Sequence, residues 1–204
     1  MRKFNVGSVA AVTALLLGGC ASDPRFDEDT IYLADIGGGR RHFEEPSRAP
    51  FDDVSYWDGD GIEGPSRVII RLGEQRAYFY KGDELVGVSV VSTGREGYDT
   101  STGNFKIVEK DIDHRSNLYG DYVDTVTGQI VQKDVEVKRD PKPPGTRFLG
   151  APMPYFMRVV GGTGMHEGFL PGYAASHGCI RMPEFMAKHF YSNVEVGTPV
   201  TITR

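Results

Sequence analysis

Three β-branched and aromatic runs dominate the middle of the chain: Val68-Ile69-Ile70-Arg71-Leu72, Arg76-Ala77-Tyr78-Phe79-Tyr80 and Leu85-Val86-Gly87-Val88-Ser89-Val90-Val91. They are parted by Gly73-Glu74-Gln75 and Lys81-Gly82-Asp83. Side chains branched at Cβ are stiff and suit a pleated strand, and the short Gly-containing triplets supply tight reversals. Two successive hairpins follow, so the fold must bury at least one face of an antiparallel sheet. Asn104–Lys110 and Ile130–Val137 read as further strands, and Pro199–Thr203 as a short closing one. Arg139–Gly150 carries Pro141, Pro143, Pro144 and two glycines and reads as a loop without strand potential. Pro183 suits the first position of a helix running through Tyr191, with Met186 and Phe190 four apart on one apolar face. The expectation is a mainly β domain over residues 66–204, a β sandwich or flattened barrel with one notable helix.

The first 65 residues have a different texture. Arg2 and Lys3 precede an apolar run from Val6 to Leu17. Helical, such a run covers only about 18 Å, short of a hydrocarbon core of about 30 Å, so residues 1–19 read as a removable export signal. Leu17-Gly18-Gly19-Cys20 is similar to a bacterial lipobox, which makes Cys20 the expected lipidation site and membrane anchor. With Ala21 in the next position instead of Asp, that resemblance favours the outer membrane of a Gram-negative envelope, with the domain on the periplasmic side. Residues 20–65 hold Gly37-Gly38-Gly39, Pro46, Pro50 and Asp58-Gly59-Asp60-Gly61 among many charges, and read as a tether onto which Tyr56-Trp57 add an aromatic docking point. The formal charge is −5, and no run of Lys and Arg follows the signal, which disfavours a nucleic-acid partner. Two cysteines, one of them assigned to lipid, exclude a disulfide-stapled scaffold.

Chemistry concentrates near the C-terminus, in Ser176-His177-Gly178-Cys179-Ile180-Arg181, with His166 ten residues before the serine. A thiol with an ordinary pKa of ~8.5 is only a few per cent thiolate near neutrality, and an adjacent imidazole can take its proton. Backbone N–H groups around Gly178 and Cys179 are candidate donors to an oxyanion. His166 and His177 are both candidate bases, and spacing does not choose between them. Arg181 stands two residues from the thiol, suited either to a substrate carboxylate or to an ion pair with Glu167 or Glu184. Tyr155 reads either as lining the pocket and donating to the oxyanion or as core packing. A competing arrangement makes His166, His177 and Cys179 three zinc ligands with water in the fourth place. A third reading is a catalytically silent wall-binding module.

The Ser-His-Gly-Cys-x-Arg block and its upstream His-containing strand resemble the L,D-transpeptidase catalytic domain of the YkuD type. Met153–Arg158, Leu170-Pro171-Gly172-Tyr173, Gly197–Ile202, Ser92-Thr93-Gly94 and Thr100-Ser101-Thr102-Gly103 extend the resemblance over roughly residues 66–204. Thr100–Gly103 departs from the family pattern by carrying Ser101 in place of proline. The resemblance implies Cys179 as nucleophile and His166 as base, with His177 beside the thiol. It implies a peptidoglycan stem peptide as donor, with D-alanine leaving a Cys179 thioester. The acyl group then passes to an amine of a second stem or of an envelope lipoprotein, or to water in hydrolytic relatives. No cofactor and no metal is implied. Members orient the base through a backbone carbonyl or small polar group, and Glu167 stands where a small residue is common. Arg139–Gly150 is the candidate for a loop that covers the site.

Overall fold

The structure, a computed structural model, describes residues 52–204. The expected signal, Cys20 and most of the tether lie outside the described residues. Among the described residues thirteen strands form three sheets, accompanied by one helix.

The first sheet contains β1 (Tyr56–Trp57), β2 (Ser66–Arg71), β3 (Arg76–Lys81), β4 (Glu84–Val90), β5 (Gly103–Lys106) and β13 (Pro199–Thr203), in the order β1-β4-β3-β2-β13-β5. The two hairpins pair as the runs and turns predict, Ile69 opposite Tyr78 and Tyr78 opposite Val88. The closing strand enters parallel to β2, Val200 opposite Val68. The second sheet has the order β12-β11-β10-β6, from β6 (Glu109–Asp111), β10 (Phe156–Val160), β11 (Thr163–Glu167) and β12 (Ile180–Met182). The third is β8-β7-β9, from β7 (Arg115–Asp124), β8 (Ile130–Glu136) and β9 (Thr146–Pro152).

One apolar cluster joins the first two sheets and the helix α1 (Glu184–Asn193). Val68, Ile70 and Phe79 enter it from one sheet, Met157, Met165 and Ile180 from the other, and Met186 and Phe190 from α1. Phe79 and Phe190 meet edge to face at 4.9 Å between centroids. Fully burying a Phe, Met or Ile side chain contributes about 1.5–3 kcal/mol, so this cluster is what fixes the two sheets against each other. Pro183 caps the helix from just outside rather than occupying its first position, its carbonyl accepting the Ala187 N–H at 2.9 Å.

Three local expectations differ from what the chain does. Asn104–Lys110 is not one strand: Ile107, almost fully buried, marks the place where the chain leaves β5 and crosses to β6 in the other sheet. Its N–H donates to Thr198 O, whereas the next residue, Val108, donates to Arg158 O. Arg139–Gly150 is loop only in its first half, because β9 begins at Thr146. Of its two glycines, Gly145 (φ +74°) belongs to the loop, whereas Gly150 serves close backbone approach: a Cβ there would lie 1.9 Å from Ser116 O. The end of the tether is part of the sheet, since β1 pairs with the edge of β4, Trp57 opposite Gly87. The indole rests on Gly87, stacks on His189 (4.9 Å, 18°) and packs on Phe79. A side chain at Gly87 would collide with it, a Cβ meeting the ring at 2.7 Å.

Candidate active site

Strands β11 and β12 run parallel with His166 opposite Arg181, so both project from the same face of the sheet. Cys179, two residues before Arg181, shares that face, while Met165, Ile180 and Met182 alternate onto the core side and are fully buried. The register of one strand pair thus delivers a thiol, an imidazole and a guanidinium to one patch.

The loop leading into Cys179 is bolted at several points. Ser176 is buried; its N–H donates to Thr93 O at 2.9 Å and its hydroxyl donates to Cys179 O at 2.5 Å. Gly178 has φ +110°, a conformation that a side chain would strain. Its N–H donates to Ser176 Oγ (3.1 Å) and its carbonyl accepts from Thr100 Oγ1 (2.8 Å). Both polar groups of Gly178 are therefore engaged within the loop, and the sequence expectation of an oxyanion donor falls on the Cys179 N–H instead. Thr100 also accepts the Gly94 N–H at 2.9 Å, so its hydroxyl braces the loop where Ser101 stands in place of the family's proline.

His166 is 6% exposed, and its Nδ1–H donates to the carbonyl of Glu167 at 2.5 Å. That bond fixes the tautomer with a free lone pair on Nε2. Burial pushes its pKa from 6.5 down to about 4; the carbonyl opposes this, and Arg181 and His114 add to it. Glu167 serves the histidine through its backbone. Its carboxyl, raised by burial and by Glu184, faces the Lys188 side. Cys179 is also mostly withdrawn from solvent. Its Sγ lies 3.6 Å from Gly162 O, and burial raises its pKa against an opposing Gly164 N–H and Arg181. Among the described residues neither imidazole hydrogen-bonds the thiol. A thiol pushed up beside an imidazole pushed down leaves both neutral at rest, so the thiolate–imidazolium pair that spacing suggested is not preformed.

His177, expected beside the thiol as a group that shapes the site, bonds to Arg95 rather than to the sulfur. Arg95 donates to its Nε2 at 2.8 Å, and arginine has no acceptor, so that nitrogen carries the lone pair and is already used. The ring stacks on Tyr119 of β7 (4.3 Å, 25°) and meets Tyr98 edge on (4.7 Å). Burial, then Arg95 and Arg181, lower its pKa. Tyr98 in turn donates to Glu136 of β8 at 3.3 Å. His177 is thus the joint between the cysteine loop and the third sheet. β7 and β8 reach the cysteine loop through Tyr119 and Glu136, Arg139 of the expected Arg139–Gly150 segment lies within electrostatic reach of His177, and Tyr119 lies within that of Cys179.

Arg181 forms neither of the ion pairs weighed from sequence; Glu184 pairs with Lys188 at 2.5 Å. Its aliphatic stem packs against Gly168, where a Cβ would lie 3.0 Å from Cγ. Tyr155 is in a turn, φ +55°, not on a strand. It packs on Tyr191 (5.9 Å between centroids) and has the Lys188 ammonium 5.9 Å from its ring, the packing role that was one of its two readings. The zinc arrangement loses its geometry. Among the described residues the ligating atoms of His166, His177 and Cys179 do not gather, and the one group that does is Glu109, Asp111 and His114. That group is internally satisfied, His114 on Asp111 at 3.0 Å and Glu109 on Arg158 at 2.5 Å. Arg95, Tyr98, Thr100 and Tyr119 were not singled out from sequence. Only Thr100 carried a signal there, as part of the Thr-x-x-Gly turn.

The same architecture occurs in solved structures. An L,D-transpeptidase from Mycobacterium smegmatis superposes with a TM-score of 0.51 at 18% identity, covering 69% of this chain and 59% of that one. One from Stackebrandtia nassauensis gives 0.51 at 20%, covering 70% and 57%. One from Xylanimonas cellulosilytica gives 0.50 at 20%, covering 70% and 62%. The chain thus spans about three-fifths of the length of these proteins. No match is found among curated proteins. The family model of the L,D-transpeptidase catalytic domain, YkuD, matches residues 65–202, from just before β2 through the penultimate residue of β13. With the cysteine loop, its buried histidine and the bracing Thr-x-x-Gly turn all inside that span, this chain belongs to the YkuD family of L,D-transpeptidase catalytic domains.

Proposed function

We propose that Cys179 is the nucleophile of an L,D-transpeptidation on peptidoglycan stem peptides, with His166 as its base. The observation that carries this is the β11–β12 register, which sets His166, Arg181 and Cys179 on one face while Glu167 O holds His166 with Nε2 unprotonated. As donor binding brings the reacting groups together, Nε2 of His166 takes the thiol proton and the sulfur adds to the carbonyl of the residue before the terminal D-alanine. The tetrahedral oxyanion is met by the Cys179 N–H, a donor of a kind whose loss typically costs ~3 kcal/mol. His166 then protonates the departing amine, the C–N bond breaks, and D-alanine leaves a thioester. An acceptor amine, from a second stem or a lysine of an envelope lipoprotein, adds to the thioester after giving a proton to His166. Collapse expels the sulfur, which recovers that proton, and a new amide remains.

Transfer is favoured over hydrolysis because Tyr119, Tyr98 and His177 form an aromatic wall joined to the covering sheet, and excluding water protects a thioester. The domain works at the periplasmic face of the envelope, held through a lipid on Cys20 to the outer membrane. Incubating the protein with purified sacculi and separating the muropeptides tests the reaction. The expected result is new cross-links or attached protein with D-alanine release, absent in Cys179→Ala. Release of D-alanine with only shortened stems would make the enzyme a carboxypeptidase. Palmitate labelling lost in Cys20→Ser tests the anchor, and unlabelled wild type would refute it.

A further inference from the structure

Among the described residues the resting thiol donates to one acceptor, the carbonyl of Gly162, 3.6 Å from Sγ. That carbonyl lies in the β10–β11 turn, Gly161-Gly162, and the turn has no packing of its own. Both glycines are exposed, Gly161 at φ +54°, and a Cβ on either would meet no atom within 4 Å. Two adjoining glycines in open space leave a turn free to shift unless something ties it. Beside the strand ladder the tie is Arg158, whose Nη1 donates to Gly161 O at 3.1 Å. Gly164, where β11 is under way again, gives its N–H to the same sulfur. One short turn thus presents an acceptor for S–H and a donor for S⁻.

Register explains how Arg158 comes to stand there. In the second sheet Glu109 lies opposite Arg158, and Arg158 opposite Gly164. One step back from the Met165–Ile180 pair brings Gly164 level with Cys179. Glu109, Arg158, Gly164 and Cys179 therefore form one row across the sheet, on the face that carries His166. Gly164 adds no side chain to that row. The Phe156 ring lies where its Cβ would be, at 2.5 Å, and the guanidinium sits on the same ring, 4.9 Å from its centroid. Glu109 holds the other side of the fork, Nε donating to Oε2 at 2.5 Å. The neighbouring carboxylate, Asp111, is taken by His114 and by the Asp113 N–H. A planar fork bonded to two partners has a fixed direction, which a lysine ammonium does not reproduce.

We propose that Arg158, aimed by Glu109, is a positioning residue for the nucleophile: it ties the turn that parks the thiol, and it faces the sulfur with positive charge once the proton has left. In that step S–H breaks and N–H forms at Nε2 of His166; Gly162 O loses its donor, and the Gly164 N–H stays on the anion. The ionisable groups around the sulfur are Arg158 of β10, Arg181 of β12 and Tyr119 of β7, with His166 of β11 neutral. Of these, Arg158 is the one that also bonds the turn. The assignment rests on Cys179 as the reacting thiol, as proposed above, but its first two measurements need no stem peptide.

Full-length Cys20→Ser leaves Cys179 as the only thiol and serves as the parent. Its S–H stretching band, read by infrared spectroscopy, falls in frequency when the thiol donates a hydrogen bond. The parent band is expected at the bonded position and should rise in Arg158→Lys and Arg158→Gln, which release the turn. A free-thiol band in the parent, or one band common to all three, overturns the proposal. The midpoint of iodoacetamide alkylation between pH 6 and 11 reads the charge. Arg158→Gln should raise it by about half a unit, and Glu109→Gln, which unmasks the guanidinium, should lower it by a similar amount, with Arg158→Lys close to the parent. A merely structural loss would move all three the same way, and that outcome, or no movement, overturns the proposal. Glu109 is half-exposed and Gln is its isostere, so Glu109→Gln and Arg158→Lys carry the test even where Arg158→Gln fails to fold. D-alanine release from a tetrapeptide donor supplies the third readout. Arg158→Lys should lower kcat at least about fivefold with KM little changed, because the defect is in where the sulfur stands. A fall carried by KM alone overturns the proposal. No release by the parent overturns the transpeptidase reading instead, and the band and the midpoint then decide the role of Arg158.

Discussion

Burying an uncharged histidine makes stability depend on pH, and His166 is the place to measure it. In the folded protein its pKa is pushed down to about 4, whereas in the unfolded chain it returns to about 6.5. Between those values the unfolded state binds a proton that the folded state refuses, so stability is complete above about pH 6.5 and falls as the pH drops toward 4. A shift of about 2.5 units at 1.36 kcal/mol each gives a loss of about 3 kcal/mol, at a slope no steeper than about 1.4 kcal/mol per unit. His177 acts in the same sense, its pKa lowered by burial and then by Arg95 and Arg181. Glu167 acts the other way, because its raised pKa makes the folded state hold a proton that the unfolded state gives up. The perturbation is His166→Gln, whose amide can still donate to Glu167 O but cannot titrate. Urea unfolding between pH 4.5 and 7.5, followed by the fluorescence of the single tryptophan, gives the two stability curves. Wild type should lose about 2–3 kcal/mol more than His166→Gln over that range. Curves that fall in parallel would refute the claim that His166 is held neutral by burial.

Alkylation of Cys179 by iodoacetamide should accelerate steadily through pH 7–9 without a plateau, since burial raises the thiol pKa and no imidazolium is paired with it; a plateau below pH 7 would mean a preformed ion pair. Thr100→Val removes two hydrogen bonds that brace Gly178 and Gly94, and should cost about 2 kcal/mol in urea unfolding while lowering the acylation rate more than tenfold. Trp57→Ala leaves a gap against Phe79, His189 and Gly87, and should cost about 3 kcal/mol by thermal or urea unfolding with Cys179 alkylation unchanged. Tyr119→Ala should leave D-alanine release largely intact but shift the product ratio from transfer to hydrolysis, read by muropeptide separation.

The two hairpins, the closing strand and the helix were legible because period-2 runs, turn triplets and Pro183 are local signals that the tertiary structure reinforces. β7 was not, since Arg-Ser-Asn-Leu-Tyr-Gly-Asp-Tyr shows neither alternation nor an apolar run. Its strand character comes from partners on both sides and a glycine, Gly120, lying against Leu149 O. β9 was hidden by the prolines just before it and by Gly150, the residue that lets it approach β7. In the site, Cys179, His166 and Arg181 were legible as a motif, because a strand pair with fixed register keeps them together. The direction of each side chain was not. His177 differs from His166 only in what surrounds it, and Arg95, Tyr98 and Tyr119, up to 82 residues away, are invisible to any local window.

The two histidines also explain how one loop can be rigid and reactive. The backbone carbonyl of Glu167 holds His166 through Nδ1, a bond independent of the residue's own side chain, so a glutamate is tolerated where the family favours something small. His177, locked at Nε2 by Arg95, cannot compete for the thiol proton without first releasing the guanidinium. Removing Arg95 would therefore free a second imidazole two residues from Cys179. That imidazole would add a new titration to the alkylation profile of Arg95→Gln, still below the ordinary histidine pKa because burial and Arg181 continue to lower it, and His177→Asn in the same background would remove it. A profile without that inflection leaves His166 as the sole base, as its fixed tautomer requires.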